Sequence, residues 1–182
     1  MERAIIDVRG AMPADEQSWH RLWDAYLAFY DTQLAGEVTD QTWHRITDPM
    51  SPMFARIARL GVEVVGFAVC LVHEGSWHIA PHCYLEDLFV DPSHRGAGVG
   101  RSLMDDLIGF RRQHAWASIH WRTRDDNVAA RRLYERYANV LSATAWVIRR
   151  DPRGAARVTR VKDVPRRAAA AEAQAGVIFV FG

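Results

Sequence analysis

From residue 3 to residue 8 the chain alternates, with Ala4, Ile6 and Val8 on one side, the period of a half-buried strand. Pro13, Ala14, Asp15 and Glu16 suit the first turn of a helix. Trp19, Leu22, Trp23, Tyr26, Leu27, Phe29 and Tyr30 then recur at three- and four-residue spacings, which predicts an amphipathic helix with a broad aromatic face. The polar stretch 31–36 leads to a short helix over 40–46, with Asp40 as its N-cap and Pro49 and Pro52 closing it. Residues 54–60 and 62–72 read as a hairpin of two strands about Gly61, the second apolar enough for burial on both faces. A turn-rich connection over 74–81 holds Trp77 and His78, and 83–90 reads as a strand cut off by Asp91 and Pro92. Leu103, Leu107 and Phe110 set a helical period over 99–110, followed by a strand over 115–121, a helix over 126–137 and a last strand over 143–148. No internal repeat is visible, and the succession of elements predicts an α/β (α+β) fold.

Composition narrows this picture. The 182 residues, 49% hydrophobic and 25% charged, have the balance of one globular domain and enough apolar content for a core. No apolar run approaches the roughly 20 residues of a membrane span, and the first residues lack the apolar stretch of a signal peptide, so a soluble cytoplasmic protein is expected. Cys70 and Cys83 are too few for a disulfide framework, and neither they nor the histidines show a metal-ligand spacing, so no metal is expected.

Charge divides the chain. Residues 1–148 hold 15 basic and 19 acidic residues, a net of −4, whereas 149–182 hold 8 and 3, a net of +5. The expected organisation is one domain over 1–150 and a basic extension over 151–182. The extension has no base-reading motif, so nucleic acid is not an expected partner. Its final Val177-Ile178-Phe179-Val180-Phe181 has the character of a strand able to pair with a second copy, and a homodimer is expected.

The chemistry concentrates in Arg95-Gly96-Ala97-Gly98-Val99-Gly100-Arg101, between a strand ending at Val90 and a helix starting near Val99. Glycines let successive backbone N–H groups converge on one anion, and the helix adds unpaired donors and the positive end of its dipole. Arg95 and Arg101 add charge. The segment is neither a dinucleotide fingerprint, since Arg101 stands where the third glycine would be, nor a P-loop.

Together with the preceding Tyr84-Leu85-Glu86-Asp87-Leu88-Phe89-Val90, this loop resembles the GNAT superfamily of acetyl-CoA-dependent N-acetyltransferases and its Arg/Gln-x-x-Gly-x-Gly/Ala pyrophosphate loop. The strand is similar to the branch holding spermidine/spermine N-acetyltransferases and related yeast polyamine and histone acetyltransferases. Asn127-Val128-Ala129-Ala130-Arg131-Arg132-Leu133-Tyr134 resembles the family's Asn-x-x-Ala-x-x-x-Tyr helix. A seven-residue spacing puts Asn127 and Tyr134 on one helical face, about 10 Å apart along the axis. The glycine–aromatic pair that follows this helix in the family is replaced around Tyr137-Ala138-Asn139.

The resemblance implies a mixed, mostly antiparallel sheet of six to seven strands flanked by helices, with acyl-CoA at a splayed strand pair. It implies acetyl transfer to a primary amine, most directly a polyamine-like small molecule. Protein lysine or N-terminal acetylation and a non-catalytic acyl-CoA sensor are the alternatives. It places acetyl-CoA on Leu88, Phe89, Val90, residues 95–101, Asn127 and Ala130. Glu86 is the implied base, with Asp87 its rival, because adjacent strand residues face opposite ways unless a bulge intervenes. Tyr134 is the implied proton donor to the leaving thiolate, and core packing is its alternative role. Trp23, Tyr26, Tyr30, Glu37, Trp77 and Asp87 are candidates for the acceptor's walls, where aromatic and acidic groups suit a cationic amine.

Overall fold

The computed structural model describes residues 5–124, 126–137, 143–150 and 156–160, the last two segments as backbone only. The elements are β1 (Ile6–Gly10), α1 (Glu16–Phe29), α2 (Gly36–Thr47), β2 (Met53–Leu60), β3 (Glu63–Gly75), β4 (His78–Val90), α3 (Val99–Gln113), β5 (Ser118–Arg124), α4 (Val128–Glu135), β6 (Ala143–Arg150) and β7 (Ala156–Arg160). They form one seven-stranded sheet in chain order. Neighbours are antiparallel except for the β4–β5 and β5–β6 pairs, which are parallel. This is the mixed, mostly antiparallel α/β sheet expected from the sequence. Strand pairing continues past residue 150 through β7; the Val177 to Phe181 run lies outside the described residues. No described helix is long and apolar enough to cross a membrane.

Each face of the sheet has its own core. On one, α1 and α2 bring Trp19, Leu22, Trp23, Trp43 and Ile46 against Ile57, Phe67, Val69 and Phe89. On the other, α3 and α4 bring Val99, Leu103, Met104, Leu107 and Tyr134 against Ala68, Cys70, Cys83, Leu85, Ile119 and Trp121. Alternation along β2, β3 and β4 supplies both cores from the same strands. The turn into α1 is pinned by Asp15, whose carboxylate takes two hydrogen bonds from the Arg9 guanidinium, at 2.6 and 2.7 Å, and one from the Met12 N–H at 2.8 Å. Burial alone would raise the Asp15 pKa, but these donors and the Arg9 charge outweigh it and hold the carboxyl below its usual value.

Two sequence expectations are corrected. α2 begins at Gly36 after Ala35, not at Asp40, which is an exposed interior residue of the helix. The buried Thr39, Trp43 and Ile46 carry its period back beyond the expected start. The stretch 74–81 is not mainly a loop: β3 and β4 run together to a two-residue turn at Ser76 and Trp77, with His73 paired to His82 and Gly75 to His78. Gly75 makes that pairing possible, because a Cβ there would lie 2.5 Å from His82 Nε2.

Two irregularities shape the middle of the sheet. Val69 pairs with Asp87 but Cys70 pairs with Leu85, so Glu86 is an extra residue, a β-bulge in β4. One step away, β4–β5 pairing ends at Leu85 and Trp121, although β4 continues to Val90 and β5 to Arg124. Beyond that point the strands part, and the β5-facing edge of 86–90 has no ladder partner among the described residues.

Candidate active site

The parting opens between the α3 N-terminus and the aromatic end of α1. Gly96 and Gly98 have φ of +83° and +95°, a left-handed backbone that glycine adopts without strain. Gly98 caps α3, so the first N–H groups of that helix follow directly from the loop. Gly100 lets α3 approach closely: a Cβ there would lie 3.3 Å from Leu133 Cδ2 on α4, which would have to shift by a few tenths of an ångström. Arg95 lies over the Phe29 and Phe89 rings, 5.5 and 5.7 Å from their centroids, and donates to the Val90 carbonyl at 3.3 Å. Arg101 pairs with Asp105 at 3.4 Å on the exposed side of α3.

On the α1 side, β4 presents Asp87. The Tyr26 hydroxyl donates to Asp87 Oδ1. Burial raises the Asp87 carboxyl to about 6 against the lowering effect of that hydrogen bond, and the adjacent Glu86 charge adds to the rise. Glu86 itself is exposed. Tyr30, 5.0 Å from Tyr26 ring to ring, lies beside the Asn127 side chain, whose Oδ1 caps α4 by accepting from the Ala130 N–H at 3.1 Å. The end of α1 therefore meets the start of α4 at the parting.

Tyr134 on α4 is 8% exposed and lies 5.0 Å from Trp121, ring to ring. Burial raises its phenol pKa well above the usual value, and Tyr30 and Asp87 raise it further. It therefore remains a protonated donor at neutral pH. Trp121 Nε1 is buried without a hydrogen-bond partner among the described residues, at the point where β4 and β5 separate. An extended cofactor that carries amide groups and a pyrophosphate fits this arrangement of glycine loop and open strand edge.

The structure thus gathers Tyr26, Tyr30, Asp87, Asn127 and Tyr134 from the candidates. It does not bring the remaining acceptor-wall candidates, Trp23, Trp77 and Glu37, to the same place. Trp23 is 5% exposed and packs in the core against Phe67. Trp77 is 58% exposed at the β3–β4 turn, ten residues and roughly 30 Å of strand from Asp87. Glu37 is exposed in the first turn of α2.

The sequence reading missed His120, Arg122 and Arg124 on β5. Their alternation with the buried Ile119 and Trp121 was the available signal. His120 joins His73, His78 and His82 in a ring cluster, with His73 Nε2 and His120 Nε2 3.4 Å apart. Burial and its charged neighbours hold His120 down to about 4. Among the described residues, no three histidine, cysteine or carboxylate side chains are grouped to hold a metal ion.

The model of the acetyltransferase (GNAT) family matches residues 17–139. A D-amino-acid N-acetyltransferase, HPA3 of Saccharomyces cerevisiae, is 32% identical over 136 residues, 73% of this chain and 84% of the yeast protein. A thialysine N-epsilon-acetyltransferase of Caenorhabditis elegans is 27% identical over 92 residues, 50% of this chain and 57% of its own. In fold, the chain is similar to a ribosomal-protein-alanine N-acetyltransferase from Brucella melitensis, with a TM-score of 0.63, 21% identity, and coverage of 79% of this chain and 98% of that one. The chain belongs to the GNAT acetyltransferase family. It is an N-acetyltransferase, and its relatives act on amines.

Proposed function

We propose that the protein transfers the acetyl group of acetyl-CoA to the primary amine of a small molecule. The observation that carries this reading is the placement of Asp87 and Tyr134 about one strand parting that opens beside a glycine-lined helix N-terminus. The glycine loop and the first N–H groups of α3 hold the cofactor's pyrophosphate, with Arg95 adding charge. Asn127 and Ala130 border the cofactor from α4, and Leu88, Phe89 and Val90 offer it the open edge of β4.

An alkylammonium has a pKa near 10.4 and must lose a proton before its nitrogen can attack. Asp87 accepts that proton. It is the better placed of the two carboxyls, since Tyr26 orients it and burial brings its pKa close to neutrality, where general bases are effective. The exposed Glu86 guides cations toward the mouth. The amine nitrogen forms a bond to the thioester carbonyl carbon, and a backbone N–H of the open β4 edge stabilises the oxygen as it gains charge. The carbon–sulfur bond then breaks as Tyr134 gives its proton to the departing thiolate, and the nitrogen loses its second proton to give the neutral amide, a proton that returns to the Tyr134 phenolate by way of solvent.

Two acceptor classes have support. Asp87 with the Tyr26 and Tyr30 rings suits the polyamine-like cation expected from the sequence. The names of the two relatives, acting on D-amino acids and on thialysine, support an amino acid. Acetyl-CoA-dependent thiol release against diamines, spermidine, D- and L-amino acids and a lysine-rich peptide tests the proposal. Release with a small amine supports it, release with the peptide alone moves the activity to protein acetylation, and CoA binding without release leaves a sensor.

A further inference from the structure

The charges around the strand parting have opposite signs on its two sides. On β5, Ile119 and Trp121 point into the α3-side core, so His120, Arg122 and Arg124 lie on the α1 side of the sheet. On β4, Tyr84 lies on that same side, and beyond the bulge so does Asp87, opposite Val69 of the α1-side core. Because pairing ends at Leu85 and Trp121, Arg122 is the first β5 residue past the separation, and Asp87 is the first carboxylate on this face of β4 past it. The site therefore carries an anion on one strand and a cation on the other.

Arg122 is held in position. Its Nε donates to the Tyr84 hydroxyl at 3.0 Å, and its guanidinium carbon lies 5.4 Å from the Tyr84 ring centroid. Arg124, the next residue on this face, lies 6.0 Å from the Tyr30 ring and is paired with Asp126. His120, between Arg122 and the other histidines, adds no positive charge at neutral pH. A guanidinium held on an aromatic ring at the edge of a site is suited to a planar carboxylate, which it can bind through parallel N–H donors. A diamine or polyamine would instead bring a second ammonium toward that fixed positive charge.

We infer that Arg122 binds a carboxylate of the acceptor, so that the substrate is an amine that also carries a carboxylate, an amino acid or close analogue, rather than a polyamine. The inference rests on the acetyl-transfer reading above and sharpens it. Arg122 is a specificity-determining residue: it does not touch the reacting atoms but fixes which molecules present an amine to Asp87.

The test compares kcat/KM for matched pairs differing only in the carboxylate: D- and L-phenylalanine against phenethylamine, and lysine against cadaverine. The wild-type enzyme is expected to prefer the acid of at least one pair by tenfold or more. In Arg122→Gln that ratio should fall at least tenfold, through KM for the acid, and Arg122→Lys should recover part of it. CoA binding by calorimetry verifies that each variant is folded. A wild-type ratio near one, or a ratio that survives Arg122→Gln, overturns the inference while leaving acetyl transfer to amines intact. Thiol release with neither member of any pair, despite CoA binding, overturns both.

Discussion

The Tyr26 hydroxyl donates a hydrogen bond to Asp87 Oδ1, tying the outer half of α1 to β4 immediately after its bulge. This contact joins a helix assigned by its aromatic spacing to a carboxyl whose pKa is pushed up to about 6 by burial.

With Asp87 as base, kcat/KM on the free-amine concentration should rise about tenfold per pH unit below pH 6 and level off above it. The Tyr26 bond favours the carboxylate, so Tyr26→Phe should move the inflection to higher pH by on the order of one unit. A pH–rate profile of the two enzymes reads this directly, and an inflection that stays in place removes Asp87 from the role.

Asp87 should also cost the fold stability. Its folded pKa lies above the ordinary value near 4, so the folded state binds more protons than the unfolded chain, and stability falls as pH rises through that window. Asp87→Asn should be more stable than wild type at pH 8 by on the order of 2 kcal/mol. The gap should close below pH 4. Urea midpoints at the two pH values measure it; equal midpoints at pH 8 would contradict the burial argument.

Tyr134→Phe keeps the ring against Trp121 and removes only the hydroxyl. It should lower kcat by roughly 10²-fold with little change in KM or melting temperature. Steady-state kinetics beside a thermal melt separate this from a packing role, which would shift the melt instead.

Gly98→Val forces a branched side chain into a φ of +95° at the α3 N-terminus. Strain of about 1–3 kcal/mol at the loop should weaken acetyl-CoA binding on the order of tenfold. Calorimetric titration with CoA is the measurement, and unchanged affinity would detach the loop from the pyrophosphate.

Asp15→Ala leaves Arg9 and the Met12 N–H without their acceptor at the β1–α1 corner, and should cost roughly 3 kcal/mol. The Asp15 pKa is lowered in the fold, so its contribution is present above about pH 4 and is lost on acidification. The variant and wild type should therefore converge in urea midpoint toward pH 2.

Where local pattern decides structure, the sequence was easy to read. The spacing of Trp19, Leu22 and Trp23 gave α1, Leu103 and Leu107 gave α3, and the glycines after Arg95 gave the loop. What escaped depends on pairing between distant segments. Asp40 looked like a cap because Asp is a good one, but Thr39 was already buried in the helix it was meant to begin. The Glu74 to Pro81 stretch looked like a loop because Gly75, Ser76 and Pro81 are turn residues, yet His73 and His82 meet across a ladder. The resemblance ranked Glu86 above Asp87 as base, but which of the two is the extra residue is visible only in the register with β3. Arg122 was overlooked because the role proposed for it depends on where β4 stops pairing with β5.

The bulge at Glu86 acts as a phase shift in the code of the strand. Upstream of it, the odd positions Cys83 and Leu85 belong to the α3 side; downstream, odd Asp87 and Phe89 belong to the α1 side and even Leu88 to the α3 side. The orientation of the Asp87 carboxyl, the base in the reaction we propose, is therefore set by the count of residues in β4 rather than by the identity of any one of them. Substitutions along this strand adjust the chemistry by degrees, whereas a one-codon deletion would exchange its two faces, turning Asp87 into the oily side and Leu88 toward the amine.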